Sequence, residues 1–233
     1  MSGKQWEIPY RPITAADYTG AYPPLLEAVL ALRGIPPEEA EEFLHPSIGQ
    51  LGDPMELKDM PRAVQRIRQA IDAGETVAVY GDYDVDGITS LCLLVSYLRS
   101  RDMTCLAYIP NRLEEGYGVN LQAIDQFKAA GVTLIITVDC GITAMDEVEY
   151  ARDLGIDMVI TDHHECRGFD LPKAVAVVNP KREDCTYGYD GFAGCGVAFK
   201  LVCALSGDTE EMLRQYADLV AMGTVADMMP LLG

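Results

Sequence analysis

A doubly wound, mainly parallel α/β sheet preceded by a small helical region is the architecture the sequence predicts, on three observations. From residue 77 onward, short apolar runs rich in β-branched residues alternate with longer helical patterns, as in successive strand-helix units. Those short runs are apolar almost throughout, as strands covered by helices on both faces must be. With 233 residues, 49% of them hydrophobic, the chain can bury one large core, or one core and a small appendage.

Residues 1–75 form the predicted helical lead-in, where Pro9, Pro12, Pro23, Pro24, Pro36, Pro37, Pro46, Pro54 and Pro61 punctuate short helical pieces. Its clearest helices are PPEEAEEFL (36–44), with proline and acids at its start, and PRAVQRIRQAIDAG (61–74), which opens on Pro61 and stops at Gly74. The α/β domain then occupies 76–233. Its strand and helix runs pair as VAVYG with ITSLCLLVSYLRS, CLAYI with NLQAIDQFKAAG, and LIITV with AMDEVEYARDLG, followed by the strands DMVIT and AVAVV. Helical stretches at about 194–206 and 209–226 close the chain.

Composition narrows the function. Thirty-six acids against eighteen Lys and Arg give a formal charge of -18, which opposes nonspecific attraction to polyanions such as DNA or anionic lipid. A nucleic-acid partner therefore needs bound metal or a local basic patch. The seven cysteines are scattered and odd in number, several within apolar runs, which fits a reduced, cytoplasmic protein. No CxxC pair is present, so a zinc site from Cys166, Cys185 and Cys195 beside His163 is a weak alternative. The N-terminus lacks the apolar core of a signal peptide, and no stretch reaches the roughly 18 apolar residues of a membrane span; neither export nor membrane insertion is expected.

In open α/β sheets the ligand crevice lies at the carboxyl ends of the strands, so polar residues just after apolar runs are the candidates. VAVYG is followed by Asp82, Asp84 and Asp86; LIITV by Asp139; DMVIT by Asp162, His163 and His164; and Asp227 ends the last helical run. So many acids in one crevice would repel one another unless cations neutralised them. A mixture of carboxylate and imidazole suits Mn²⁺, Mg²⁺ or Zn²⁺ better than Ca²⁺, and the set is large enough for two ions. DxDxDG also opens a calcium loop, but Leu93 stands where such a loop needs its glutamate. A single Asp after a strand is commonly a helix cap, so it is the joint occurrence that points to metal. Adjacent side chains are expected to point apart, so one histidine of the pair would orient its neighbour or meet phosphate instead of ligating metal.

DYDVDG, VDCG, DHH and GTVADMMPL, in this order, resemble the motifs of the DHH phosphoesterase superfamily. VYGDYDVDGITS, PNRLEEGYGVN, LPKAVAVVNPK, FAGCGVAFKL and DLVAMGTVADMMPL are similar to the RecJ single-stranded-DNA exonucleases in particular, and the lead-in resembles theirs too. The resemblance implies 5′-to-3′ hydrolysis of single-stranded DNA in repair and recombination, with two Mn²⁺ or Mg²⁺ ions as cofactors. It makes Asp84, Asp86, Asp139, His163 and Asp227 the metal ligands, with Asp82 and His164 beside them as catalytic residues. Gly87 is expected to let the backbone turn tightly into the following helix.

Two ions about 3.5–4 Å apart, bridged by one carboxylate, stabilise both the entering and the leaving oxygen, and Asp139 is the expected bridge. Arg112 is the candidate phosphate contact and Tyr117 the candidate stacking surface, against the plainer reading of a solvated loop. Arg62, Arg66 and Arg68 read as solvated charge. A helicase or single-strand-binding protein is the expected partner and a monomer the expected state. RecJ proteins continue past the last motif into substrate-binding domains, so a catalytic fragment or a truncated gene is expected here. The alternatives are another DHH phosphoesterase, acting on short oligonucleotides, cyclic dinucleotides or pyrophosphate, or an inert DNA-binding scaffold.

Overall fold

The computed structural model describes residues 13–111, 118–166 and 170–231. Two compact units divide between Gly52 and Asp53. In the first, α1 (Pro24–Leu32) carries proline at its opening position, where the helix needs no amide. A short 3-10 turn at Pro37–Glu39 leads into α2 (Ala40–Leu44), so PPEEAEEFL is a turn and a short helix. Glu27 is buried in this unit because the Thr19 hydroxyl and amide both donate to its carboxylate, at 2.7 and 3.1 Å.

The second unit runs α3 (Met60–Ala73), β1 (Thr76–Gly81), α4 (Val85–Arg99), β2 (Cys105–Tyr108), α5 (Leu121–Ala129), β3 (Val132–Val138), α6 (Met145–Asp153), β4 (Asp157–Thr161), β5 (Ala176–Val178), α7 (Gly194–Ser206) and α8 (Thr209–Ala226). The five strands are all parallel, in the order β2-β1-β3-β4-β5. Strand alternation sends Ala78, Tyr80, Ile135, Ile160 and Val177 into one core cluster with Ile124 and Phe127 of α5 and Val148 of α6. Val77 and Val79 therefore face the other way, where α4 lies on the sheet beside α7 and α8. α7 is buried from Gly194 to Leu205, which explains why FAGCGVAFKLVCAL carries almost no charge.

α3 buries Met60, Ala63, Val64, Ile67 and Ala70, the spacing of one helical face, and stops at Gly74 in the left-handed conformation (φ 64°). The sequence reading groups this helix with a lead-in ending at residue 75. The buried stripe packs instead on α7 and β5, inside the larger unit. Of its arginines, expected as solvated charge, Arg66 departs from that: it donates to Asp157 at 2.6 Å and to Glu75 at 2.8 Å with little of its side chain exposed. Arg62 and Arg68 are exposed, Arg62 lying 3.5 Å from Asp59 and Arg68 donating to the carbonyls of Ala204 and Leu205 at the end of α7.

Candidate metal centre

The strand order reverses between β1 and β3, and ligands of open α/β sheets bind in the crevice that such a reversal opens at the carboxyl ends. Asp82 leaves β1 at this point and is almost fully buried. Asp84 caps α4 by accepting from the Gly87 amide at 2.9 Å. Asp86 lies in the first turn of α4, where its two oxygens accept from the amides of Gly194 (2.6 Å) and Cys195 (2.8 Å). Those amides open α7, so they have no partner within their own helix and sit at the positive end of its dipole. Asp139 leaves β3 in the left-handed region (φ 60°), and Asp227 closes α8.

These side chains converge on His163. Its Nε2 lies 3.1 Å from Asp139 Oδ1, 3.6 Å from Asp227 Oδ2 and 3.8 Å from Asp86 Oδ2. Among the described residues, neither ring nitrogen of His163, nor Asp139 Oδ1, has a hydrogen-bond partner, although all three atoms are buried. An unsatisfied buried polar atom costs about 1–3 kcal/mol, and two of these, His163 Nε2 and Asp139 Oδ1, lie 3.1 Å apart and call for a common partner. A divalent cation fits that demand. Three sets of donor atoms lie close enough to share an ion: Asp86, His163 and Asp227; Asp139, His163 and His164; and Asp82, Asp84 and Asp139. Asp139 and His163 each belong to two sets, as bridging groups would.

Electrostatics agree. Burial, reinforced by the charges of Asp86 and Asp84, pushes the Asp139 carboxyl up to about 10, and burial also raises Asp82 and Asp227. Asp162 behaves differently. Burial pushes its carboxyl up, but hydrogen bonds outweigh it and leave it below the usual range. Oδ1 accepts from the His163 amide (2.7 Å) and the His164 amide (3.1 Å) and pairs with His164 Nδ1 (2.8 Å), while Oδ2 accepts from the Ile142 amide (2.8 Å). The first residue of the DHH triplet thus organises the two histidines. The bond to Asp162 raises the His164 imidazole in turn.

Some sequence expectations change. The histidine rings do not point apart: their centroids are 4.5 Å from each other at an interplanar angle of 56°, because Asp162 pulls the tripeptide into a tight turn. Gly87 acts by close approach and not by a special φ: it lies in the first turn of α4, and a methyl group there would lie 2.5 Å from the Asp82 carbonyl oxygen, so the tight entry into the helix needs glycine as expected. Among the described residues no cysteine joins a metal-ligand set, and the Cys195 thiol bonds the Val220 carbonyl instead. Cys140 is a buried thiol 3.8 Å from the Tyr80 carbonyl.

Arg112 and Tyr117 lie outside the described residues. Two contributors are not read from the sequence as parts of the site. The amides of Gly194 and Cys195 carry no side-chain signal. Asn179, just past β5, donates from Nδ2 to the His164 carbonyl at 2.9 Å; its place in LPKAVAVVNPK is the available hint.

Residues 76–224 match the model of the DHH family, N-terminal domain. The chain is 46% identical over 209 residues to the single-stranded-DNA-specific exonuclease RecJ of Bacillus subtilis, covering 89% of this chain and 26% of that protein. It is 40% identical over 229 residues to the corresponding Escherichia coli protein, covering 93% of this chain and 39% of the relative. Among solved structures it resembles an exonuclease RecJ bound to manganese, with TM-score 0.68 and 36% identity over 76% of this chain and 45% of that one. It also resembles RecJ from Thermus thermophilus in complex with Mn²⁺, with TM-score 0.70 and 31% identity over 89% of this chain and 29% of that one. The chain thus spans well under half the length of these curated relatives.

Proposed function

The chain belongs to the DHH family, and from that membership we propose that it carries the metal-dependent phosphodiesterase centre of a RecJ-type 5′-to-3′ single-stranded-DNA exonuclease. The observation that carries this reading is the convergence of Asp86, Asp139 and Asp227 on His163, with orphaned donor atoms at its middle. Support for the substrate comes from relatives named single-stranded-DNA-specific exonucleases, and support for the cofactor from neighbours solved with manganese.

Two divalent ions, Mn²⁺ or Mg²⁺, would supply Lewis-acid charge for attack of water on a phosphodiester that is already anionic. Asp84, Asp86, Asp139, His163 and Asp227 would hold them, Asp139 as the bridge, with Asp82 completing the set of Asp84 and Asp139. The α7 amides fix Asp86 so that its carboxylate cannot swing away when charge changes beside it. Asp162 fixes Nδ1 of His164, so Nε2 is the nitrogen that can meet a cation or a phosphate oxygen. No Ser or Cys nucleophile is needed. The same reading makes a monomer the working unit, the cytoplasm its location, and a helicase or single-strand-binding protein its partner on DNA repair intermediates.

The test is a single-stranded oligonucleotide labelled at either end and incubated with the chain and Mn²⁺. Early release of 5′ mononucleotides is expected. Preference for cyclic dinucleotides or pyrophosphate over the oligonucleotide would overturn the substrate, and absence of hydrolysis of every phosphodiester would overturn the enzyme.

A further inference from the structure

The loop after β5 lines an open surface cleft of about 290 Å³, with Lys181, Arg182, Gly188, Tyr189 and Asp190 among its residues. This is close to the lower limit of small-ligand clefts, roughly 300 Å³, and suits one nucleotide better than a larger ligand. The loop is bonded to the histidine-bearing side of the metal centre and approaches its aspartate-bearing side. On one side Asn179 donates to the His164 carbonyl at 2.9 Å and Lys181 Nζ lies 3.1 Å from Glu165. On the other, the Tyr189 hydroxyl, whose nearer acceptor is the Gly191 carbonyl at 3.2 Å, lies 3.5 Å from the Pro230 carbonyl, past Asp227. The cavity therefore adjoins the centre along the carboxyl edge of the sheet.

Its groups differ in what they can offer. Arg182 is committed: it donates to Asp59, Asp184 and the Val177 carbonyl, which builds the cavity floor and leaves no guanidinium edge for a ligand to claim cheaply. Among the described residues Lys181 has a single ion-pair partner, Glu165, whose side chain is 83% exposed. The Lys181 side chain is only 22% exposed and so held in place, whereas its partner is in solvent, so a phosphate can replace the carboxylate at little cost. Tyr189 is held in place, edge-on to Phe192 with centroids 4.8 Å apart, and its ring lies across Gly191, where a methyl group would sit 2.7 Å from the hydroxyl. A fixed aromatic ring beside an ammonium group is the chemistry that takes a nucleobase and its phosphate together. A larger open cleft among the described residues, about 460 Å³, is lined by Asp146, Glu149 and Asp170, with Lys173 paired to Glu149, and would repel a polyanion.

We propose that the loop after β5 forms a nucleotide subsite, with Lys181 on a backbone phosphate of the single strand and Tyr189 against its base. This deepens the exonuclease reading and rests on it for the identity of the ligand. The test is fluorescence anisotropy of a labelled oligothymidylate twelve-mer with the full chain in Ca²⁺, across a range of salt. Lys181→Gln should weaken binding about five- to tenfold and flatten the slope of log affinity against log salt by about 0.7, the value of one phosphate contact on a single strand. Tyr189→Leu should weaken binding about tenfold and leave the slope unchanged. Lys128→Gln removes the same charge from the end of α5, at the amino edge of the sheet, and should stay within twofold of the parent. Melting temperatures with and without Mn²⁺ show whether each variant keeps its fold and metal centre. Equal affinities for Lys181→Gln and Lys128→Gln, or no binding by the parent, would overturn the subsite. Cleavage by the parent with Lys181 irrelevant would sink the subsite alone; Lys181-dependent binding without cleavage would sink the exonuclease reading and keep the subsite.

Discussion

Asp86 and Gly194 stand 108 residues apart in the chain, yet the Gly194 amide donates to Asp86 Oδ2 at 2.6 Å. That bond ties α4 to α7 at the floor of the metal centre. It also requires a glycine, because a methyl group at 194 would lie 2.5 Å from both Cβ and Oδ1 of Asp139. Gly194→Ala should therefore push Asp139 and the α7 amides apart. The expected cost is about 1–3 kcal/mol of stability from overpacking, together with at least a tenfold loss of Mn²⁺ affinity. Urea unfolding and a Mn²⁺ titration of the same variant measure both; unchanged Mn²⁺ affinity would mean that Asp139 is not held where the ion binds.

Ion binding to the folded state alone should raise the melting temperature as Mn²⁺ is added. Asp139→Ala removes the group shared by two donor sets and should abolish most of that rise. Asp227→Ala removes one member of a single set and should cost less. An unchanged melting temperature of the parent chain in excess Mn²⁺ would remove the basis for a metal centre.

Much of this is legible without coordinates. Every expected strand appears within a residue or two, because runs such as LIITV and DMVIT are apolar or β-branched at the positions that two covering layers of helix bury, the threonines Thr137 and Thr161 included. The acids after those strands are legible for the same reason, since a parallel sheet delivers its strand ends to one edge. Contacts between distant segments are not legible. Nothing in DVDG announces that Asp86 is held by amides of AGCG, and nothing in PRAVQRIRQAIDAG announces that Arg68 caps α7. The histidine rings depart from expectation because the side-chain bond from Asp162 to His164 overrides the divergence expected of neighbouring residues.

Asp59 gives the stability a pH dependence whose sign follows from its partners. Burial pushes its carboxyl up, but the Arg182 guanidinium at 2.8 Å and the Val177 amide at 3.2 Å outweigh burial and hold it below its ordinary value. A depressed carboxyl contributes stability above its unfolded pKa, near 3.8, and loses that contribution as pH falls through the folded value. Asp59→Asn should cost about 2 kcal/mol at pH 7, because Arg182 is left buried with one charged partner fewer. The gap from the parent chain should close as pH drops below about 4. Urea midpoints at pH 7, 4 and 3 check the trend; a gap as wide at pH 3 as at pH 7 would show that the pair contributes no titrating interaction.

The last prediction concerns how little of the chain's positive charge is available to DNA. Arg66 is held by Asp157 and Glu75, Arg68 by the α7 carbonyls, and Arg182 by Asp59 and Asp184. Each of these cations would have to abandon a formed bond to meet a phosphate. Among the described residues Lys58, Arg62, Arg152, Lys173 and Arg214 also face carboxylates, and the formal charge of -18 opposes approach of a polyanion. Affinity for single-stranded DNA should therefore fall only gently with salt, with a slope below about 2, equivalent to fewer than three contacts at about 0.7 each. Arg68→Ala should lower the melting temperature by uncapping α7 while leaving that slope in place. Anisotropy between low and moderate salt measures the slope directly. A slope near 4, or a drop of about 0.7 on Arg68→Ala, would mean that the arginines leave their internal partners for DNA, and that the face of α3 belongs to the strand's path after all.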